Sequence, residues 1–229
     1  LKSKITGIEL NDMNTNVFSN YRNWLDAQKI PKGKKAVLLS ALTLFAEFGF
    51  NGTSTAKIAQ TAGVSQGTIF KYFKTKQDLL ISILQPIIQN FFPVYRDDFL
   101  AEWQNFNTLR ELVHFIIHDR YRFLKENSDA FTILLSEMLT NNTVRRLFQK
   151  ILQSSKPIFV KQFQKKLLQN GVRKDLDSLA VFRTLLGQLL TYFLQQKFAP
   201  QIKVNEENDL KEIEDQIIRA ISDQKREAN

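Results

Sequence analysis

The side chains best placed to do chemistry follow a glycine corner, in the run Ala62-Gly63-Val64-Ser65-Gln66-Gly67-Thr68-Ile69-Phe70-Lys71-Tyr72-Phe73. Helical spacing sends Ile69 and Phe73, four apart, to one side. It leaves Gln66, Gly67, Phe70 and Lys71 on the other. The Gln66 amide suits the donor–acceptor edge of adenine. Gly67 has no side chain, so a ligand backbone can come close. The hydroxyls of Thr68 and Tyr72 can donate to phosphate oxygens. Lys71, Lys74 and Lys76 add positive charge. Helix starts attract anions, and Lys76 stands at the next one as the expected phosphate clamp. This is recognition chemistry rather than covalent chemistry, and its expected target is the edge and backbone of duplex DNA.

Short helices must hold this run in place. Ile58, Ala59 and Ala62 share a face, and the two alanines permit close approach of another helix. Gly63 stands where a left-handed residue ends a helix. Val64 plugs the corner, and Ser65 is a good cap for the next helix. Upstream, Val37, Leu38, Ala41, Leu42, Phe45 and Phe48 mark a supporting helix over 34–48, stopped by Gly49. Phe50-Asn51-Gly52 forms a loop, and Thr53 or Ser54 caps the helix after it. Downstream, Thr75-Lys-Gln-Asp78 reads as a capping box with Asp in place of Glu. The expectation is a three-helix head with a helix-turn-helix, in which the second helix of the motif enters the major groove.

The segment from about Lys34 to Leu80 resembles the DNA-binding domain of the TetR family of bacterial transcriptional regulators. The resemblance rests on Leu44-Phe45-Ala46-Glu47-Phe48-Gly49-Phe50, Thr53-Ser54, Ile58-Ala59, the run Ala62 to Phe73, Lys76 and Leu79-Leu80. It covers about a fifth of the chain. It implies DNA contacts at Thr55, Gln66, Gly67, Thr68, Phe70, Tyr72 and Lys76. The family usually has tyrosine where this chain has Phe70. A phenyl ring cannot hydrogen-bond a phosphate; it can press on a thymine methyl or fill a gap near the backbone.

Bulk properties agree with such a partner. The 229 residues, 43% hydrophobic, suffice for a large core, and the formal net charge is +9. Residues 32–78 hold seven lysines against Glu47 and Asp78, while residues 205–229 hold eight acids against four bases. The positive charge thus gathers in the head, and binding to a polyanion should weaken steeply with salt. With no cysteine there is no disulfide, thiol nucleophile or cysteine metal site. No apolar run reaches the ~20 residues needed to span a bilayer, and no signal peptide is evident, so a cytoplasmic protein is expected. No cofactor and no catalytic constellation are read in the sequence: there is no Gly-x-Ser-x-Gly elbow and no glycine-rich phosphate loop.

The expected organisation is all-α: an extension over 1–31, the head over 32–80, and a larger helical effector-binding and dimerisation domain over 81–229. The extension forms a small helix on the head or a flexible arm. Helices are expected from Thr108-x-x-Glu111, from a Ser128 cap, over 143–154 and 156–169 with the split near Pro157, and over Leu176–Phe198. Leu179, Phe182, Leu186, Leu189 and Phe193 stripe that last helix, and Ile213 and Ile217 stripe the one after it. The first of the two is apolar on more than one face, as burial against two neighbours requires. The family resemblance implies that this pair forms a four-helix bundle across a two-fold axis, giving a homodimer. Two heads then read a near-palindromic operator. The resemblance also implies an apolar or amphipathic small-molecule effector held among the body's many phenylalanines. Effector binding would swing the fourth helices and release a repressor from DNA. His114 and His118 are four apart, but the sequence fixes no third ligand beside them, so no metal is expected. The alternative reading is a helical interaction protein that keeps the head without sequence-specific binding.

Overall fold

The computed structural model describes residues 15–223. In order, the helices are α1 (Val17–Ala27), α2 (Lys32–Phe48), α3 (Thr55–Ala62), α4 (Gln66–Tyr72), α5 (Lys76–Pro86), α6 (Phe92–Glu102), α7 (Leu109–Glu126), α8 (Ser128–Thr140), α9 (Asn142–Gln169), α10 (Ser178–Phe198) and α11 (Glu206–Ile221). A π-helical turn, Ile87–Phe91, joins α5 to α6, and a 3-10 turn, Trp103–Asn105, follows α6. No β-strand occurs among the described residues; Val172 and Ser222 form an isolated bridge. The all-α expectation holds.

Local signals account for most boundaries. Thr75 and Asp78 form the reciprocal capping box at the start of α5. Thr108 and Glu111 do the same at α7: the Glu111 N–H donates to the Thr108 hydroxyl at 3.2 Å, and the Glu111 carboxylate accepts from the Thr108 N–H at 3.1 Å. Two expectations need correction. Pro157 lies inside α9, which runs unbroken from Asn142 to Gln169. Proline removes one backbone hydrogen bond but has a helical φ, and here the helix continues through it. At α8 the capping position belongs to Asn127 rather than Ser128. The Asn127 side chain is used elsewhere, accepting from the Val17 N–H at 2.7 Å and donating to the Thr15 carbonyl at 2.8 Å.

The chain divides into two compact units, Leu1–Tyr95 with Glu126–Ser154, and Arg96–Lys125 with Ser155–Asn229. The first unit is larger than the head expected over 32–80, because α1, α5 and α8 pack with it. Of the extension, residues 1–14 lie outside the described residues. The rest forms helix α1, which buries Val17, Tyr21 and Leu25. Asn20 donates to the Tyr95 hydroxyl at 2.6 Å, and Trp24 meets Phe91 edge to face. In the head Val37, Leu38, Ala41, Leu42, Phe45, Ile58, Ile69 and Phe73 are buried. Phe48, expected inside, is 43% exposed and carries the Lys57 ammonium over its ring.

The second unit is built around Trp103, which is fully enclosed and stacked on Phe163, with Phe99 beside it. Phe99 stacks on Phe115, and Phe115 on Phe106. Leu112, Ile117, Leu185, Leu189 and Ile217 complete this core. These phenylalanines therefore pack one another, as aromatic rings in a core prefer to do.

Candidate nucleic-acid interface

Ser54 caps α3, its hydroxyl accepting from the Lys57 N–H at 3.1 Å. Thr53, the other candidate cap, is buried, with its hydroxyl 3.0 Å from the Leu44 carbonyl and 2.8 Å from that of Gly49. At the corner, Gly63 has φ 65° and the Val64 N–H donates to the Ala59 carbonyl at 3.0 Å. Ser65 then caps α4, accepting from the Thr68 N–H at 3.2 Å. Gly63→Ala should cost about 1–2 kcal/mol, because an L side chain is strained at this left-handed φ. Urea unfolding of parent and variant measures the difference.

Those caps and the buried pair Ile69 and Phe73 set the rotation of α4. Gln66, Gly67, Phe70 and Lys71 face solvent, with Phe70 49% exposed. Thr68 and Tyr72 are half-buried beside the start of α2. A β-carbon built on Gly33 would stand 3.6 Å from the Tyr72 hydroxyl and 3.9 Å from a Thr68 methyl. Thr55 is half-buried at the start of α3. Of the residues expected at the interface, six lie on α4, Thr55 opens α3 before it and Lys76 opens α5 after it. All of them belong to the first unit.

The lysines do not act alike. Lys76, the expected clamp, donates to the carbonyls of Phe50 at 2.8 Å and Thr53 at 3.0 Å, with its ammonium 4.2 Å from the centre of the Phe50 ring. It ties α5 to the loop before α3, and two of its three N–H groups are committed in this way. Lys34 and Lys57 lie over the rings of Phe73 and Phe48. Lys35 donates to the Asp26 carbonyl at 2.9 Å. Lys32, Lys71 and Lys74 are exposed. The spacing of lysines along the chain marks none of these attachments; each depends on an aromatic ring or carbonyl brought in by folding.

The expected dimer stripe is split. Leu189, Phe193, Ile213 and Ile217 are buried by their own chain, at 8% exposure or less, and have no surface to offer a partner. Leu179 is 58% exposed, and Phe182 and Leu186 are half-buried. The opposite side of α10 is open. Leu179, Arg183, Leu186, Leu190, Leu194 and Phe198 follow one another at three-to-four spacing along it. Gly187 lies at its edge with open space where a β-carbon would be. A groove of about 270 Å³ runs between α10, α11 and residues 203–204; its lining includes Gln188, Gln195, Asp209, Glu212 and Gln216. It is too polar to be the expected apolar cavity.

Residues 37–83 match the family model for bacterial regulatory proteins, tetR family. That segment is a TetR-type DNA-binding head. The head is 41% identical over 69 residues to the HTH-type transcriptional regulator RutR of Escherichia coli (strain K12), covering 29% of this chain and 32% of RutR. A longer match, 30% identical over 124 residues, joins it to the fatty acid metabolism regulator protein of Bacillus subtilis (strain 168), covering 54% of this chain and 60% of that one. The chain therefore spans about a third to three-fifths of these two relatives. The fold is similar to that of FadR from Bacillus halodurans, with TM-score 0.60 and 19% identity over 83% of this chain and 97% of the other. It is similar also to a transcriptional regulator from Saccharomonospora viridis in complex with choline, with TM-score 0.62 and 19% identity over 83% and 98% of the two chains. Among the described residues, no helix is long and apolar enough to cross a membrane.

Proposed function

We propose that the protein is a homodimeric, ligand-responsive DNA-binding repressor that reads a near-palindromic operator through α4. The observation that carries this reading is the outward side of α4. Gln66, Gly67, Phe70 and Lys71 stand clear of the head, within a segment that matches the TetR family. Gln66 reads a base edge, Gly67 allows backbone approach, and Phe70 presses on an apolar group such as a thymine methyl. Thr55, Thr68, Lys71, Tyr72 and Lys76 hold phosphates. The second copy docks on the open side of α10, which is apolar opposite its buried side. A single head covers too little groove for a specific site, and two heads related by a two-fold axis read paired half-sites. Nothing in the site calls for catalysis.

The effector is apolar or amphipathic. The FadR of Bacillus subtilis, 21% identical in structure comparison, was crystallised with stearoyl-CoA, an amphipathic ligand of this kind. Release requires the effector to favour a state in which the two α4 helices no longer match the groove spacing. Converting a mostly bound population to a mostly free one takes about 5.5 kcal/mol of differential affinity.

Gel-shift titrations with random duplexes at two salt concentrations test the reading. Competition by one palindrome supports it. Uniform weak binding would instead favour a helical interaction protein that has kept the head. On the selected palindrome, Gln66→Ala should relax preference at one base pair, worth about 1–3 kcal/mol. Replacing Lys71 and Lys74 together by alanine should weaken all duplexes alike and flatten the log–log salt slope by roughly 0.9 per lost phosphate contact. Unchanged binding in both variants would move the interface off α4.

A further inference from the structure

His114 and His118 lie one turn apart on α7, and Glu214 reaches them from α11. All three residues are in the second unit. His114 Nδ1 is 3.1 Å from Glu214 Oε1 and 3.2 Å from Oε2, and His118 Nε2 is 2.8 Å from Oε1. The imidazole centres are 4.2 Å apart, and one ligand-type atom from each of the three residues lies within 4.8 Å of the others. The carboxylate is enclosed, with 8% of its side chain exposed, while the imidazoles are open at 59% and 41%.

A buried carboxylate requires a polar partner. One imidazole would meet that need. Here two converge on the same oxygen through different ring nitrogens, and both keep a side to solvent. Around four-coordinate zinc, with bonds of about 2.0–2.2 Å, adjacent ligand atoms are roughly 3.3–3.5 Å apart. The two histidine–glutamate separations reach that range with shifts of a few tenths of an ångström. Neighbouring acids are engaged elsewhere. Glu111 accepts the N–H groups of Asn107 and Thr108, Asp119 is held by Arg120 and Arg122, and Asp215 pairs with Arg110.

We propose that His114, His118 and Glu214 bind one divalent transition-metal ion of the zinc class and so clamp α7 to α11. The ion takes the place of the hydrogen bonds between the rings and the carboxylate; each imidazole binds as the neutral ring with its proton on the nitrogen turned away from the ion, and any proton beyond that one passes to solvent. Water completes the coordination through the open side. Two imidazoles and one carboxylate favour zinc, cobalt or nickel over magnesium or calcium. The site is remote in sequence from the DNA-reading residues, and its test does not involve DNA.

The experiment uses the full chain stripped with chelator. Cobalt(II) is titrated with visible absorption as the readout, and zinc by calorimetry. Expected are saturation at one ion per chain and a rise in unfolding temperature with zinc. His114→Gln, His118→Gln and Glu214→Gln should each weaken binding by about tenfold or more, with helical circular dichroism unchanged. Absence of saturable one-to-one binding overturns the proposal. So does a folded E214Q variant that binds as tightly as the parent, since that reduces the site to a surface histidine pair. Should E214Q fail to fold, competition on the parent decides: magnesium displacing zinc at similar concentration overturns the site, and retention of zinc supports it.

Discussion

Trp103→Ala should lower stability by about 3–5 kcal/mol, the range for removing a large buried aromatic ring. Trp103 is wholly enclosed, between Phe163 at 5.4 Å and Phe99 at 5.5 Å between ring centres. Removing the indole takes the partner away from both rings and leaves a void that the stacked pair Phe99 and Phe115 cannot fill without leaving its own contacts. At roughly 2–4 °C per kcal/mol for a chain of this size, the melting temperature falls far enough for ordinary calorimetry to measure. Leu139→Ala is the control, because Leu139 is 70% exposed; its effect should stay within about 0.5 kcal/mol. Equal effects for the two variants would mean that the second unit is not organised around Trp103.

Leu190→Arg should split the proposed dimer and weaken operator binding by about 10²–10⁴-fold, the gain that linking two binding modules confers. Leu190 is half-buried in the middle of the open side of α10. An arginine there would have to be buried unpaired against a second copy, which is strongly unfavourable. Each isolated head would still meet DNA, but without its tethered neighbour. Sedimentation velocity measures the first effect and gel shift the second. Leu189→Ala separates the two sides of the helix. Leu189 is fully buried, so its loss should cost about 2–5 kcal/mol of stability while leaving subunit affinity nearly unchanged. If Leu189→Ala dissociates the protein and Leu190→Arg does not, the docking side has been assigned the wrong way round.

The helix boundaries were largely legible in the sequence. Ser54, Gly63, Ser65, Thr75 with Asp78, and Thr108 with Glu111 act over three or four residues, and each ends or starts a helix where its type and position suggest. The inward spacing of Ile69 and Phe73 likewise predicts which side of α4 faces out. Phe48 breaks the pattern at the end of α2, where the periodic stripe runs past the edge of the core. Pro157 shows that a helix-breaking residue is a local cost, which the rest of a 28-residue helix can outweigh.

The site residues followed the same division. Gln66, Gly67, Phe70 and Lys71 were placed correctly on the surface because helix rotation is a local property. For Lys76, position at a helix start was visible, but its attachment to carbonyls 26 and 23 residues away was not. In the stripe named for dimerisation, Leu189 and Phe193 are buried within their own chain while Leu179 is exposed, because α10 is apolar on two sides. Periodicity alone cannot say which of them the chain covers itself.

The sequence by itself determined the class of fold, the corner and caps of α4, and the character of the side chains presented on it. These follow from backbone geometry and hydrogen bonding within about one helical turn. Only the tertiary structure decided which side of α10 is closed, which lysines are held within the head, and that Glu214 meets a histidine pair about a hundred positions earlier. Such contacts arise when helices pack to bury apolar surface, and packing brings together groups whose separation along the chain carries no trace of their meeting.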